Sequence, residues 1–204
     1  MAITYIIVIA VILFYFLLSL GNNSKQRELK RKQYVGKLLQ LLETAYILHN
    51  TTKFETFKSR INFLSKLLPE LLPPTDKDYI EFANQAEQEY KSRYPDRHLS
   101  QRQIEVIGNP KCITQESLMI CYVDFFKRYC LDLENQILKL KTSTAKQKRI
   151  NQVANTAKII IAALSVNNGG KFANSVSQTE SLFYDKYGKP NNAAHIIIEI
   201  TKKE

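Results

Sequence analysis

The first twenty residues contain no charged side chain. From Ala2 to Leu20 the run is aliphatic and aromatic, broken only by Thr4, two tyrosines and Ser19. As a helix it has a length of about 28 Å, close to the hydrocarbon thickness of a bilayer. A helix that packs in a soluble core normally has a polar face, and this run has none. The pattern therefore predicts a membrane-spanning helix over residues 2–20, with the lipid bilayer as its partner.

A basic cluster follows this run almost immediately. Its members are Lys25, Arg27, Lys30, Arg31 and Lys32, opposed within the same stretch only by Glu28. The positive-inside rule places such a flank in the cytoplasm, so we predict a single-pass protein with its N-terminus outside and its C-terminal domain cytoplasmic. Anionic headgroups of the inner leaflet attract each nearby Lys or Arg by about 1 kcal/mol. We therefore predict that these five side chains bind anionic lipid headgroups.

A cleaved export signal is the competing interpretation of the N-terminal run. Ser19-Leu20-Gly21 is a small-x-small triplet of the kind that a signal peptidase accepts. Three features oppose cleavage: no Lys or Arg precedes the apolar run, the run is longer than a typical signal h-region, and the basic cluster comes where it resists translocation. The anchor is the favoured interpretation, and cleavage stays open.

Helical periodicity dominates the rest of the chain, which contains only six Gly and six Pro. Capping signals and apolar stripes predict a helix continuing from the anchor past residue 46 and five further helices. These begin near Thr52, Thr75, Thr114, Ser143 and Gln178, and end near Pro69, Tyr94, Leu140, Val166 and Tyr187. The helix that continues from the anchor has an apolar stripe and an opposite polar face; the stripe is Val35, Leu38, Leu39, Leu42, Ala45 and Tyr46, and the polar face is Lys37, Gln40, Glu43 and Thr44. The stripe of the helix from Thr114 is Leu118, Tyr122, Phe125, Phe126, Tyr129, Leu133, Ile137 and Leu140. The predicted fold class is mainly α, an N-terminal transmembrane helix followed by a bundle of antiparallel helices. We predict an anchor over residues 1–21, a basic membrane-proximal helix over 22–50 and a cytoplasmic domain over 51–204.

A minor β element is predicted at the C-terminus. Residues 195–201 are β-branched and alternate, with Ile196, Ile198 and Ile200 on one face. A lone strand needs a partner, and residues 103–107 are the best candidate within the chain. Pairing with a sheet of another protein is the alternative, in which case the three isoleucines contact that partner.

Sequence motifs of catalysis are missing. The chain has no GxSxG, HExxH, GxGxxG or paired CxxC, and its three cysteines, Cys112, Cys121 and Cys130, are an odd number. The segment from Asn168 to Phe172, NGGKF, resembles the end of a P-loop. However, the position that requires the first glycine is Ser165, and Phe172 stands where Ser or Thr should hold Mg²⁺. A helix C-cap explains the two glycines better. We predict no catalytic residue, no metal site and no cofactor.

The charge distribution is more informative than any motif. The net charge is +10, and no acidic residue occurs from Asn135 to Thr179. Five cations of this window lie at the junction of the two longest predicted helices: Lys139, Lys141, Lys146, Lys148 and Arg149. No aromatic residue lies between Tyr129 and Phe172, so stacking on single-stranded nucleic acid is not indicated. Anionic lipid headgroups are therefore favoured over nucleic acid, and a merely solvated surface is the plain alternative.

These features together predict a function in interaction. The chain is expected to act as an adaptor or regulatory module at an anionic membrane surface, with an unidentified protein partner. Two alternatives remain: a membrane-tethered enzyme with a site around His98 or His195, and a membrane-tethered nucleic-acid-binding protein.

Overall fold

The computed structural model describes residues 2–71, 76–98, 100, 110 and 113–191, and their side chains except at residues 2–24, 76 and 77. Within these residues six α-helices and one 3₁₀ turn are found, and no strand. The helices are α1 (Ala2–Asn50), α2 (Phe54–Leu67), α3 (Asp76–Arg93), α4 (Gln115–Lys139), α5 (Ser143–Val166) and α6 (Gly170–Tyr187), with the 3₁₀ turn at Leu68–Glu70. The prediction of a mainly α chain built as a helical bundle is confirmed.

Several predicted features fall outside the described residues. Both predicted strands, residues 103–107 and 195–201 with Ile196, Ile198 and Ile200, lie there. The backbone of the predicted anchor is part of α1, while its side chains are outside the description. Across the part of the chain that was searched, no helix combines the length and the apolar character needed to cross a bilayer.

Contacts divide the chain into two compact units. Unit 1 comprises residues 1–46 and 64–110, and unit 2 comprises residues 47–63 and 111–204. Two of the three divisions, between residues 46 and 47 and between 63 and 64, fall inside α1 and α2, and the third, between 110 and 111, falls in the connection from α3 to α4. No shift in composition marks them, and the predicted bounds 1–21, 22–50 and 51–204 stay a prediction.

In unit 1, α1 and α3 are joined by an ion pair, a hydrogen bond and an aromatic contact. The Arg31 guanidinium pairs with Glu81 at 3.0 Å and donates a hydrogen bond to Gln85 at 3.1 Å. The Tyr34 ring of α1 lies 6.2 Å, between centroids, from the Tyr79 ring of α3 and meets it nearly edge-on. The α1 stripe read from the sequence is buried at Val35, Leu38, Leu39 and Leu42.

One α1 residue departs from the predicted pattern. Thr44 belongs to the face expected to meet solvent, yet it is 1% exposed, and its Oγ1 lacks a hydrogen-bond partner. Its neighbour Leu41 is also buried. The helix is therefore buried over more of its circumference here than a single apolar stripe implies.

The segment after α3 is tied to α1 by a tyrosine–arginine cluster in unit 1. The Tyr94 hydroxyl donates to Glu43 at 2.8 Å. The Arg97 guanidinium lies over the rings of Tyr46, at 4.8 Å, and Tyr94, at 4.2 Å. A guanidinium over an aromatic face is attracted by the ring quadrupole, so the two rings help to hold this segment.

In unit 2, α4, α5 and α6 pack against one another pairwise. Side-chain N-caps begin α4 and α5. The Thr114 hydroxyl accepts from the Ser117 N–H at 3.2 Å, and the Thr142 hydroxyl accepts from the Ala145 N–H at 3.3 Å. These caps satisfy N–H groups that have no partner within the helix. The predicted helix starts near residues 114 and 143 are confirmed.

Residues 47–63 join this bundle through aromatic and polar contacts with α4. The Phe57 and Phe125 rings stack at 4.1 Å between centroids, and Tyr122 meets Phe57 edge-on at 5.1 Å. The half-buried Arg128 guanidinium donates to the Leu48 carbonyl at 2.7 Å. That carbonyl belongs to the last turn of α1, where carbonyls lack intrahelical partners and a cation is favoured.

The prediction of a short last helix is wrong in its start. Helix α6 begins at Gly170 rather than near Gln178. The α5–α6 junction is a Schellman motif in which Asn168, with a φ of 58°, takes the left-handed position. The Gly169 N–H returns to the Leu164 carbonyl at 2.9 Å. The Gly169 carbonyl then accepts from the Ala173 N–H at 2.9 Å, so the glycines open the next helix as well as closing the previous one.

Gly169 is required here because of space rather than backbone conformation. A Cβ at this position would lie 2.8 Å from the Leu164 carbonyl oxygen and 2.9 Å from the Met119 sulfur. A Cβ at Gly170 would have nothing within 4 Å. Two adjacent glycines therefore differ in what they tolerate.

We expect Gly169→Ala to lower the free energy of unfolding by about 1–3 kcal/mol, because the backbone oxygen cannot move aside and the packed junction must shift. Gly170→Ala is the matched control, for which we expect no change or a gain of up to about 1 kcal/mol from reduced freedom of the unfolded chain. Chemical denaturation of both variants measures the difference. Equal stability of the two would contradict the close approach at residue 169.

Candidate anionic-surface interface

The second basic cluster forms one end of unit 2. Lys139 is the last residue of α4, Lys141 lies in the connection, and Lys146, Lys148 and Arg149 lie in the first two turns of α5. The four lysines are exposed, and the half-buried Arg149 donates to the Gln152 side chain at 2.9 Å. The connection thus brings together all five residues that the sequence nominated. We call them the α4–α5 basic cluster.

None of the ion pairs formed by the described residues includes a member of the α4–α5 basic cluster. Other lysines of the same unit behave differently, since Lys171 pairs with Glu116 at 2.7 Å and Lys186 with Glu134 at 3.1 Å. The first turn of α5 also lacks an acidic residue, so the positive end of the helix dipole adds to the cluster. This end of the unit therefore concentrates positive charge that no ion pair between described residues neutralises.

A polar groove of about 650 Å³ adjoins the cluster on α5. Its lining includes the hydroxyls of Ser143 and Thr144, the amides of Gln147 and Asn151, and the Lys148 amine. The Gln147 amide donates to the Asn151 side chain at 3.2 Å, which orients both amides. The Gln147 amide also donates to the Lys189 carbonyl at 3.1 Å, so both of its N–H groups are engaged. The two hydroxyls and the Lys148 amine remain as donors, which suits an oxyanion carrying hydroxyl or ester oxygens.

The N-terminal basic cluster divides into two parts. Arg31 is engaged with α3, and Lys32 pairs with Glu28 at 3.7 Å. Lys25, Arg27 and Lys30 are exposed, with no ion pair among the described residues. The sequence treated the five alike, but the structure gives Arg31 an architectural contact and leaves three cations on the surface.

The groups whose pKa values are shifted most lie elsewhere, on the facing sides of α4 and α6. Burial raises the pKa of the Cys130 thiol to about 12. Burial also raises the pKa of Glu180, and the hydrogen bond that its carboxylate accepts from Tyr184 partly offsets this. At neutral pH the Cys130 thiol is therefore protonated, which is its poorly nucleophilic form.

Glu134 is the counterpart of Glu180 on α4. Hydrogen bonds from Tyr187, at 2.7 Å, and Lys186, at 3.1 Å, lower the pKa of the Glu134 carboxyl. Burial and the same contact raise the pKa of Tyr187 to about 12. The two carboxyls therefore have pKa values displaced in opposite directions, and neither pattern was visible in the sequence.

The histidines do not come together with these groups. His49 and His98 are exposed, and His195 lies outside the described residues. No group of three or more His, Cys, Asp or Glu side chains in the described ranges is arranged to hold a metal ion. Comparisons with protein-family models, with curated proteins and with solved structures found no match.

Sequence reasoning also missed exposed apolar side chains beside the cluster. Leu138 is 70% exposed at the end of α4, next to Lys139, and Leu131 is 58% exposed one heptad earlier. The signal was present, because both leucines lie off the apolar stripe assigned to this helix.

The two carboxyls of unit 2 give opposite pH effects. Glu134, whose folded pKa is lowered, contributes stability above its ordinary pKa of 4.5 that is lost as the pH falls below it. Glu180, whose folded pKa is raised, contributes stability in acid that is lost as the pH rises through its folded value. We expect Glu134→Gln to destabilise by about 1 kcal/mol or less at about pH 7 and by a smaller amount at about pH 3.

Glu180→Gln is expected to stabilise at about pH 7, because the amide still accepts from Tyr184 without burying a charge. Melting temperatures of both variants at the two pH values check these signs. Effects of the same sign for both variants at neutral pH would contradict the assignment.

Proposed function

We propose that this chain is a single-pass, membrane-anchored helical interaction module whose basic surfaces bind anionic lipid headgroups. The observation that carries the proposal is the α4–α5 basic cluster, with four exposed lysines and no carboxylate partner among the described residues. Concentrated, unneutralised charge at one end of a unit favours contact with a polyanionic surface.

The continuity of α1 supports the anchored arrangement. One helix contains both the apolar run ending at Leu20 and the basic residues starting at Lys25. Five residues advance a helix by about 7.5 Å, which is within the headgroup layer for a helix that spans the hydrocarbon. Lys25, Arg27 and Lys30, which have no ion pair in the described part, then meet the headgroups of one leaflet. The positive-inside rule makes this the cytoplasmic leaflet.

Anchoring favours lipid over nucleic acid as the partner of the α4–α5 basic cluster. A tethered domain meets the headgroups of its own bilayer at high effective concentration, so weak contacts suffice. The polar groove beside Lys148 adds hydrogen-bond donors for headgroup oxygens. As an adaptor or regulatory module, the domain would recruit a protein partner, for which the edge of the predicted strand at Ile196, Ile198 and Ile200 is the candidate contact.

The anchor is tested by alkaline carbonate extraction and protease protection of a C-terminally tagged full-length protein in spheroplasts or intact cells. We expect the protein to stay in the membrane pellet and the tag to be protected, because the apolar run holds the chain and the basic flank keeps the domain inside. Extraction into the supernatant would exclude the anchor. Digestion of the tag in intact cells would reverse the orientation.

Headgroup contact is tested by lysine acetylation footprinting of the full-length protein in nanodiscs. We expect Lys139, Lys141, Lys146 and Lys148 to be protected in phosphatidylserine-containing discs relative to phosphatidylcholine discs. Lys158, exposed on the same helix as the last two, is the internal control and should react equally in both. Protection should weaken with added salt, since exposed charges are screened.

Charge reversal sharpens this test. The double variant Lys146→Glu with Lys148→Glu should weaken the protection of Lys139 and Lys141. Each lysine near an anionic surface contributes about 1 kcal/mol, so we expect a loss of about fivefold or more for each lysine that is substituted. The matched control, Lys58→Glu with Lys158→Glu, makes the same charge change at exposed positions outside the cluster and should leave protection intact. Equal loss in both double variants would reduce the effect to net charge. Protection by added duplex DNA but not by anionic discs would favour nucleic acid.

A further inference from the structure

The exposed side of α4 ends in a patch that is both apolar and basic. Leu131 and Leu138 are 58% and 70% exposed and are seven residues apart, so they lie on the same side of the helix. Lys139 follows Leu138 directly, Lys141 comes two residues later, and both are exposed. We call these four residues the α4 tip patch. It belongs to unit 2 and shares Lys139 and Lys141 with the α4–α5 basic cluster.

Exposed leucines alone carry little information, because most proteins have some. Leu182 on α6 is an example, being 67% exposed with Asp185 and Glu180 close in sequence. The α4 tip patch differs in that its two leucines share a side and adjoin cations without carboxylate partners among the described residues. Helical spacing places Glu134 about one turn from both leucines, but Lys186 and Tyr187 already engage its carboxylate. Burying a leucine fully in an apolar medium is favourable by about 1.5–3 kcal/mol, which a purely aqueous anion cannot provide.

The combination selects among anionic partners. A nucleic-acid backbone offers charge but little apolar contact at the phosphates. A bilayer interface offers both, because anionic headgroups lie within about 5–10 Å of the acyl boundary that an apolar face reaches. Lysine can extend its charged end to the headgroups while its carbon chain follows the apolar surface. Leu29, 56% exposed between Glu28 and Lys30, repeats the same mixture in the N-terminal cluster.

We propose that the α4 tip patch docks on an anionic bilayer surface with Leu138 inserted between the headgroups, while Lys139 and Lys141 bind phosphate or carboxylate groups around it. This inference rests on the proposed function. It adds that one part of the basic surface inserts into the lipid, whereas the proposed function requires only electrostatic contact. Insertion makes the contact less sensitive to salt than charge alone, because apolar burial is not screened.

The lack of tryptophan in the sequence makes insertion directly measurable. Leu138→Trp introduces a single tryptophan at the patch, and Leu182→Trp introduces one at a comparably exposed site with acidic neighbours. Both full-length variants are reconstituted in phosphatidylcholine discs with and without phosphatidylserine. In the anionic discs we expect the tryptophan emission of the Leu138→Trp variant to shift to shorter wavelength and to be quenched by brominated phosphatidylcholine. The tryptophan of the Leu182→Trp variant should stay solvent-exposed in both kinds of disc.

A second variant keeps the inference testable if the tryptophan perturbs the tip. Leu138→Ser should reduce the footprinting protection of Lys139 and Lys141 in anionic discs several-fold, while Leu182→Ser should not. Circular dichroism checks that both remain folded, as expected for side chains that are mostly exposed.

The outcomes separate this inference from the proposed function. If the lysines are protected but the tryptophan of the Leu138→Trp variant stays solvent-exposed and unquenched, insertion is overturned and headgroup binding stands. If neither lysine protection nor a tryptophan shift occurs, both fall. An equal shift in neutral and anionic discs would overturn the coupling of insertion to charge. Protection of Lys139 and Lys141 by duplex DNA rather than by lipid would assign the patch to nucleic acid and overturn the lipid proposal.

Discussion

Two phenylalanine rings that stack face to face hold together the parts of unit 2 that are far apart in sequence. Phe57 and Phe125 are both fully buried, with centroids 4.1 Å apart and ring planes inclined by 17°. Aromatic pairs add about 0.5–1.5 kcal/mol to the burial of their area. Phe54 and Tyr122 extend the contact, so residues 54–63 are fixed on the side of α4. The short connections to α5 and α6 then place those helices, and with them the basic end of the unit.

Polar contacts also hold α4 in unit 2, in addition to the aromatic rings. Arg128 reaches the carbonyl of Leu48 in the last turn of α1, and burial lowers the pKa of this guanidinium without removing its charge. On the other side of α4, Glu134 accepts from Tyr187 and Lys186 of α6. Helix α4 is thus held by aromatic and cationic contacts on one side and by hydrogen bonds on the other. Its exposed side, with Leu131 and Leu138, is left for solvent or a partner.

The distribution of carboxylates decides which cations remain available. Glu81 engages Arg31, Glu70 engages Lys37, and Glu116 engages Lys171. The stretch without acidic residues from 135 to 179 leaves the α4–α5 basic cluster without such partners in the described part. Surface ion pairs contribute little to stability, about 0–1 kcal/mol each. Their effect here is on the surface potential, which they lower wherever they form.

Local signals in the sequence predicted most helix starts well, but they did not predict how much of each helix surface is buried. The hydroxyls of Thr114 and Thr142 satisfy nearby N–H groups, so the starts of α4 and α5 could be read from a few residues. The start of α6 could not, because a Gly-Gly pair signals both the end of one helix and the start of another. Here both roles occur together, and the Leu164 carbonyl and the Met119 sulfur lie so close to Gly169 that the junction leaves no room for a side chain. Thr44 was misplaced for a similar reason, since periodicity reports the main apolar face of a helix and not how much of its circumference is covered.

The order of residues alone specifies the helical class, the uncharged N-terminal run and the concentration of positive charge in two stretches, because these follow from periodicity and composition over short windows. Three features come from the tertiary structure: the two unit boundaries that fall inside α1 and α2, the contact that separates Arg31 from Lys25, Arg27 and Lys30, and the exposure of Leu138 beside the lysines. They depend on which distant side chains meet, and pairings between residues far apart in the sequence leave no local pattern in the chain.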